Sequence, residues 1–154
     1  MMLSLELSQG GWFDGLPASH SAMVQHLLSE GRSEEQVGEL WLSRTGSAST
    51  VGFGVGGPLQ SFYANVKQEF VAFVCGDPKY DEERAQALEI WNSQGKVGLV
   101  SMVAAVVANT VGLAAAAVVP VVALLFSLGA KVGLNAFCNA CNATSSGAAT
   151  ESSA

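Results

Sequence analysis

The chain is 154 residues long, enough to bury a sizeable core as one domain. Only 13% of its side chains are charged, against about 25% in a typical soluble protein. Seven Lys and Arg against thirteen Asp and Glu give a net charge of −6, which excludes a nucleic-acid surface and weakens electrostatic attachment to an anionic membrane.

Leu3, Leu5 and Leu7 alternate with Ser4, Glu6 and Ser8, the period of a short strand without an evident partner. Gly10-Gly11 and Gly15-Leu16-Pro17 then break the chain. Ser19 or Ser21 is placed to cap a helix through Glu30, with Met23, Val24, Leu27 and Leu28 on one face and Gly31 as its stop. Ser33 starts another: Glu34 and Glu35 suit the positive end of its dipole, and Gln36 completes a capping box. Val37, Leu40 and Trp41 form its apolar stripe. Residues 45–58 are rich in Gly, Ser and Thr and predict an irregular loop or hinge, with a short extended piece at Val51–Val55.

The spacing of Leu59, Phe62, Tyr63, Val66, Phe70, Phe73 and Val74 predicts a long amphipathic helix, stopped by Gly76. Asp77-Pro78 opens the next as N-cap and first helical residue, with Asp81, Glu82 and Glu83 in its first turns, Tyr80, Ala87, Leu88 and Trp91 inward, and Gly95 closing it. From Val97 to Ala130 there are 34 residues with no charge and no histidine. Asn109-Thr110-Val111-Gly112 divides them into two apolar helices, a hairpin. Pro120 marks a helix start near Val118 or kinks a longer helix that runs on through Lys131, Leu134 and Phe137. The segment 139–154 is too poor in apolar bulk to order itself.

The hairpin has two readings. A lipid-spanning helix needs about 20 apolar residues, and division at Gly112 leaves roughly 15 and 18. Small residues line one side of each arm: Ser101, Ala105, Ala108 and Gly112 on the first, and Ala116, Ala123, Ser127 and Ala130 on the second, continued by Gly129 and Gly133. Such lines let helices approach closely in lipid. The same hairpin would serve as the core of a soluble bundle, wrapped by the Phe62, Tyr63, Val66, Phe70, Phe73 stripe. If it inserts, the distribution of Lys and Arg leaves the N-terminal region in the cytoplasm.

Motifs for chemistry are sparse. His20 and His26 are six apart, the wrong spacing for a shared metal on a helix. Cys138-Asn139-Ala140-Cys141 is a lone C-x-x-C, short of the four ligands of structural zinc and without the βαβ setting of a redox site. Three cysteines do not suggest a disulfide framework, so a reducing, cytoplasmic compartment is expected. The N-terminus has no basic, apolar leader pattern, and neither end carries a lipidation signal. Gly52, Gly54, Gly56 and Gly57 lead into Pro58, not into the Gly-Lys-Ser of a phosphate loop. Residues 26–50, with Leu27-Leu28-Ser29-Glu30-Gly31-Arg32-Ser33-Glu34-Glu35, superficially resemble the helix-turn-helix of transcriptional regulators. Only Arg44 follows the second helix with positive charge, so an acidic helical hairpin is the expectation.

The sequence therefore predicts an all-α protein: a small helical bundle with a C-terminal apolar hairpin. Its divisions are an N-terminal αα-hairpin region over 1–50, an amphipathic helix pair over 58–95, the apolar hairpin over 96–138 and a disordered tail over 139–154. No enzyme, no cofactor and no metal are expected. The leading function is a small effector or accessory subunit. In it an acidic domain is coupled to a hairpin that enters a membrane or oligomerises through Ser101, Ala105, Gly112, Pro120, Ala123, Ser127, Gly129 and Gly133. The alternatives are a soluble adaptor that binds a protein partner through the Phe62–Phe73 stripe, and a metal or redox protein using Cys138 and Cys141.

Overall fold

The structure is a computed structural model that describes residues 10–44 and 58–141. The expected strand at Leu3–Leu7, the extended piece at Val51–Val55, the glycine-rich loop and the tail beyond Cys141 lie outside the described residues. Among the described residues all regular structure is helical: α1 (Ala18–Ser29), α2 (Glu34–Arg44), α3 (Pro58–Cys75), a 3-10 turn (Pro78–Tyr80), α4 (Asp81–Val111), α5 (Ala115–Val132) and a last helix, α6, over 134–141.

Local chemistry accounts for most boundaries. Pro17 precedes α1 and no side chain caps it, so neither Ser19 nor Ser21 has the expected role. The capping box forms: Gln36 N–H donates to Ser33 Oγ at 3.1 Å and Ser33 N–H to Gln36 Oε1 at 2.9 Å, satisfying donors that a helix start leaves orphaned. The Asp77 carboxylate accepts from Lys79 N–H at 3.0 Å, but what it caps is the 3-10 turn that leads into α4. The C-terminus of α3 is tied down by the buried Arg84. Its guanidinium donates to the carbonyls of Phe73 (2.8 Å) and Asp77 (2.7 Å) and to the Asp81 carboxylate. A cation is favoured there because the last turn of a helix presents unpaired carbonyls and negative dipole charge.

Asp81–Val111 is two limbs and not one rod. Gly95 has φ 68° and ψ −151°, outside helical space. Thirty residues of straight helix would separate residues 80 and 110 by about 45 Å, yet Tyr80 Oη lies 3.1 Å from Thr110 Oγ1. The chain therefore reverses at Gly95, where the sequence predicts the helix to close, and the limbs 81–94 and 96–111 lie side by side. Gly98 makes the reversal possible: a Cβ there would meet the Ile90 side chain at 2.9 Å and that of Gln94 at 2.5 Å. Gly112, at φ 80°, ends the second limb in the left-handed conformation expected after a helix.

α5 begins at Ala115, earlier than Val118, so Pro120 sits inside it and not at its start. The missing donor leaves the carbonyl of Ala116, an exposed residue, free for water. The helix does not run on to Phe137: Gly133 breaks it at φ 86°, and α6 follows. Asn139, Ala140 and Cys141, assigned to the tail from sequence, are the last turn of α6.

α5 is the axis of the bundle. The second limb of α4, α2 and α3 all pack on it, and Pro120 to Phe126 are buried without exception. Full burial of each Val, Leu or Phe contributes about 1.5–3 kcal/mol. The segment before α1 closes one side. Trp12, 2% exposed, stacks on Phe126 with ring centroids 5.0 Å apart and on Trp91 at 6.2 Å. The Lys96 ammonium lies 4.9 Å from the Trp12 ring centroid and donates to the Gly10 carbonyl, fastening this segment to the Gly95 turn.

Candidate functional site

The residues singled out from sequence separate into three groups. Pro120, Ala123 and Gly129 are buried in α5, and Ser127 is half-buried. Ser101, Ala105, Gly112 and Gly133 are exposed, so the two small-residue lines do not form one contact seam. The aromatic stripe of α3 turns inward: Tyr63, Val66, Phe70 and Phe73 are buried and Phe62 is half-buried. Phe70 meets Phe126 edge-on at 4.9 Å. The stripe is thus spent on the chain's own hairpin instead of facing outward to a partner.

The cysteines overturn the sequence expectation. Cys75, the last residue of α3, is disulfide-bonded to Cys138 on α6 across 63 residues, and Cys141 is the free thiol. The pairing removes Cys75 and Cys138 as metal ligands, and among the described residues no three His, Cys, Asp or Glu side chains gather around a common point. Nothing in the sequence pairs these two cysteines, because the odd count hides one bond and one spare thiol.

What sequence reasoning missed is a groove of about 770 Å³ beside the hairpin. One wall is α3, through Ala64, Lys67, Gln68 and Val71; the other is α6, through Ala136, Phe137, Ala140 and Cys141. Leu128 and Val132 of α5 form the floor, and Val132 is 51% exposed. The polar side chains of its lining include Glu35, Lys67 and Gln68. At one rim Glu35 Oε2 accepts from Lys67 Nζ at 2.6 Å and from Tyr63 Oη at 3.3 Å. The Glu34 carboxylate, 6% exposed, pairs with Lys131 of α5 nearby. A heptad-like scan finds the α3 stripe but not this groove, since its walls come from residues between the strong apolar positions.

Electrostatics at the rim favour neutral phenol and thiol. Burial first, then the Glu35 carboxylate, pushes the Tyr63 phenol far above its ordinary range. Burial likewise raises the Cys141 thiol; Lys67 opposes this and Glu35 adds to it. On the other side of α3, burial alone would raise Glu69, but hydrogen bonds from Lys79 and Tyr80 hold its carboxyl below the usual value. Tyr80 is raised by burial and by Glu69.

By length and composition two helices qualify as membrane spans, Pro78–Val111 and Ala115–Val132. The first qualifies only by counting through the reversal at Gly95; its apolar limb, 96–111, is about 24 Å long against a hydrocarbon core of about 30 Å. Half of the second is buried inside the bundle. Compared with known proteins, the chain matches no family model, no curated protein and no solved structure.

Proposed function

We propose that this chain is a non-enzymatic, disulfide-stapled helical adaptor whose groove receives an amphipathic helix of a partner protein. One observation carries the reading: the hairpin core is covered by the chain's own helices, while an apolar trough over Leu128 and Val132 stays open. Its walls repeat at 64, 67/68 and 71 on one helix and at 136/137 and 140/141 on the other. Two rows at helical spacing, apolar or small at Ala64, Val71, Ala136, Phe137 and Ala140 and polar at Lys67 and Gln68, suit an incoming stripe at i, i+3 and i+4. The Glu35–Lys67 pair and Gln68 offer hydrogen bonds to the polar edge of such a helix. The Cys75–Cys138 bond supports an oxidising compartment over the cytoplasm expected from sequence.

Insertion of the hairpin into a membrane is the second reading, favoured by the 34 uncharged residues from Val97 to Ala130. One experiment separates the two. The full chain carries a photo-crosslinking amino acid at Ala136, in the groove, or at Ala105, on the exposed side of α4, and is mixed with neutral phosphatidylcholine vesicles or cell extract. The adaptor reading expects protein cross-links from position 136 that an Ala64→Glu change in the groove abolishes, and no flotation with vesicles. Flotation with lipid cross-links from position 105 overturns it in favour of insertion.

A further inference from the structure

We propose that the Cys75–Cys138 bond and the Cys141 thiol form an intramolecular exchange pair that switches α6 between a stapled and a released state. The disulfide is the only covalent tie between α6 and α3 among the described residues. Phe137, beside it, packs edge-on against Phe70 at 5.9 Å, and Leu134 is buried one turn earlier. Cys138 is itself 3% exposed. An external thiol has poor access to that sulfur, and Cys141 does not need to come from outside. It lies three residues on, on the same side of the same helix, half-exposed in the groove wall.

The step balances without an oxidant or reductant. The Cys141 thiolate attacks Cys138 Sγ; the Cys138–Cys141 bond forms as the Cys75–Cys138 bond breaks. The electron pair leaves on Cys75 Sγ, which takes up the proton that Cys141 gave to solvent. Residues three apart on a helix have Cβ atoms about 5–6 Å apart, and a disulfide requires about 3.5–4.5 Å. The last described turn must therefore tighten or unwind, and helix ends are where fraying is easiest. Burial disfavours the Cys141 thiolate and so slows the attack, while Lys67 pulls towards thiolate. Exchange turns a tie across 63 residues into one within a single helix turn. Nothing covalent then holds α6 on α3, and the groove loses the wall that carries Ala136 and Phe137. The switch is independent of what the groove binds.

The test uses the purified full chain, oxygen-free and without added thiol, held near pH 7 or pH 8, then alkylated with iodoacetamide and mapped by peptide mass. Label is expected on Cys141 first and on Cys75 with time, together with a Cys138–Cys141 linked peptide. The appearance of labelled Cys75 should be about tenfold faster per pH unit, following the thiolate fraction. Cys141→Ser and, as a check on folding, Cys141→Ala should leave Cys75 unlabelled while melting as the wild type does. Amide exchange over 134–141 should be at least tenfold faster in the released isomer. Labelling of Cys75 in either variant, label confined to Cys141 up to about pH 9, or equal protection of α6 in the two isomers would each overturn the proposal.

Discussion

In α5, Val118 and every residue from Pro120 to Phe126 are buried, whereas the second limb of α4 leaves Val97, Ser101, Ala105 and Asn109 in solvent. Between Val97 and Ala130 neither segment carries a charge, and by sequence they form one apolar block. Their surroundings differ because their faces differ. Leu99, Val100, Val103, Ala104, Val107 and Ala108 of α4 point to the core. Its opposite side, stepping by four residues, holds small or weakly polar groups. A helix can be amphipathic without a charge when Ser, Ala, Asn and Thr stand where Glu and Lys usually do. α5 is buried or half-buried over most of its length and takes the centre, with α2, α3 and α4 around it. Missing charge therefore marks the middle of this bundle at one arm and a mild, uncharged surface at the other.

The sharpest way to break this contrast is a carboxylate placed in each arm. Ala123→Asp puts an unpaired charge into the axis and should cost about 5 kcal/mol or more, read as loss of the cooperative urea transition or as unfolding. Removing the staple with Cys75→Ser and Cys138→Ser should cost about 4 kcal/mol, the loop-entropy value for a tie of this length, seen as a lower urea midpoint in the same assay. Alkali tests the seams that join α3 to its neighbours. Tyr63 and Tyr80 are the only tyrosines, and both phenols are raised above their ordinary value in the folded chain. A raised folded pKa gives stability that is complete below the unfolded value and is lost above it. Stability should then fall as pH climbs past about 10, and tyrosinate absorbance should rise together with loss of helix. Independent ionisation in a still-folded chain would contradict these seams. Ala105→Asp closes the series with the smallest effect, within about 0.5 kcal/mol. A cost equal to that at position 123 would mean that the α4 face is covered, by lipid or by a partner.

Local rules are visible in single residues, and those parts of the fold were legible. Ser33 and Gln36 announce a capping box because both partners lie within one turn. Gly95 and Gly112 announce breaks because only glycine takes those backbone angles easily. The α3 stripe follows from its spacing. The groove was illegible because its two walls stand about 70 residues apart in the chain and its floor belongs to a third helix. The small-residue positions Ser101 and Ala105 are ambiguous for a related reason: their spacing fits helix packing and mild solvent exposure equally well.

By itself the sequence determined that this chain is helical, where most of its helices stop, and that an uncharged hairpin had to be buried somewhere. Those outcomes depend on backbone preference and on the periodic placement of apolar groups, which neighbours along the chain suffice to set. Only the tertiary structure decided what covers the hairpin, that Trp12 closes over Phe126, that Cys75 pairs with Cys138, and that a trough remains open between α3 and α6. Each of these joins groups far apart in sequence, and the free energy of such a contact exists only once the intervening chain has been brought round to make it.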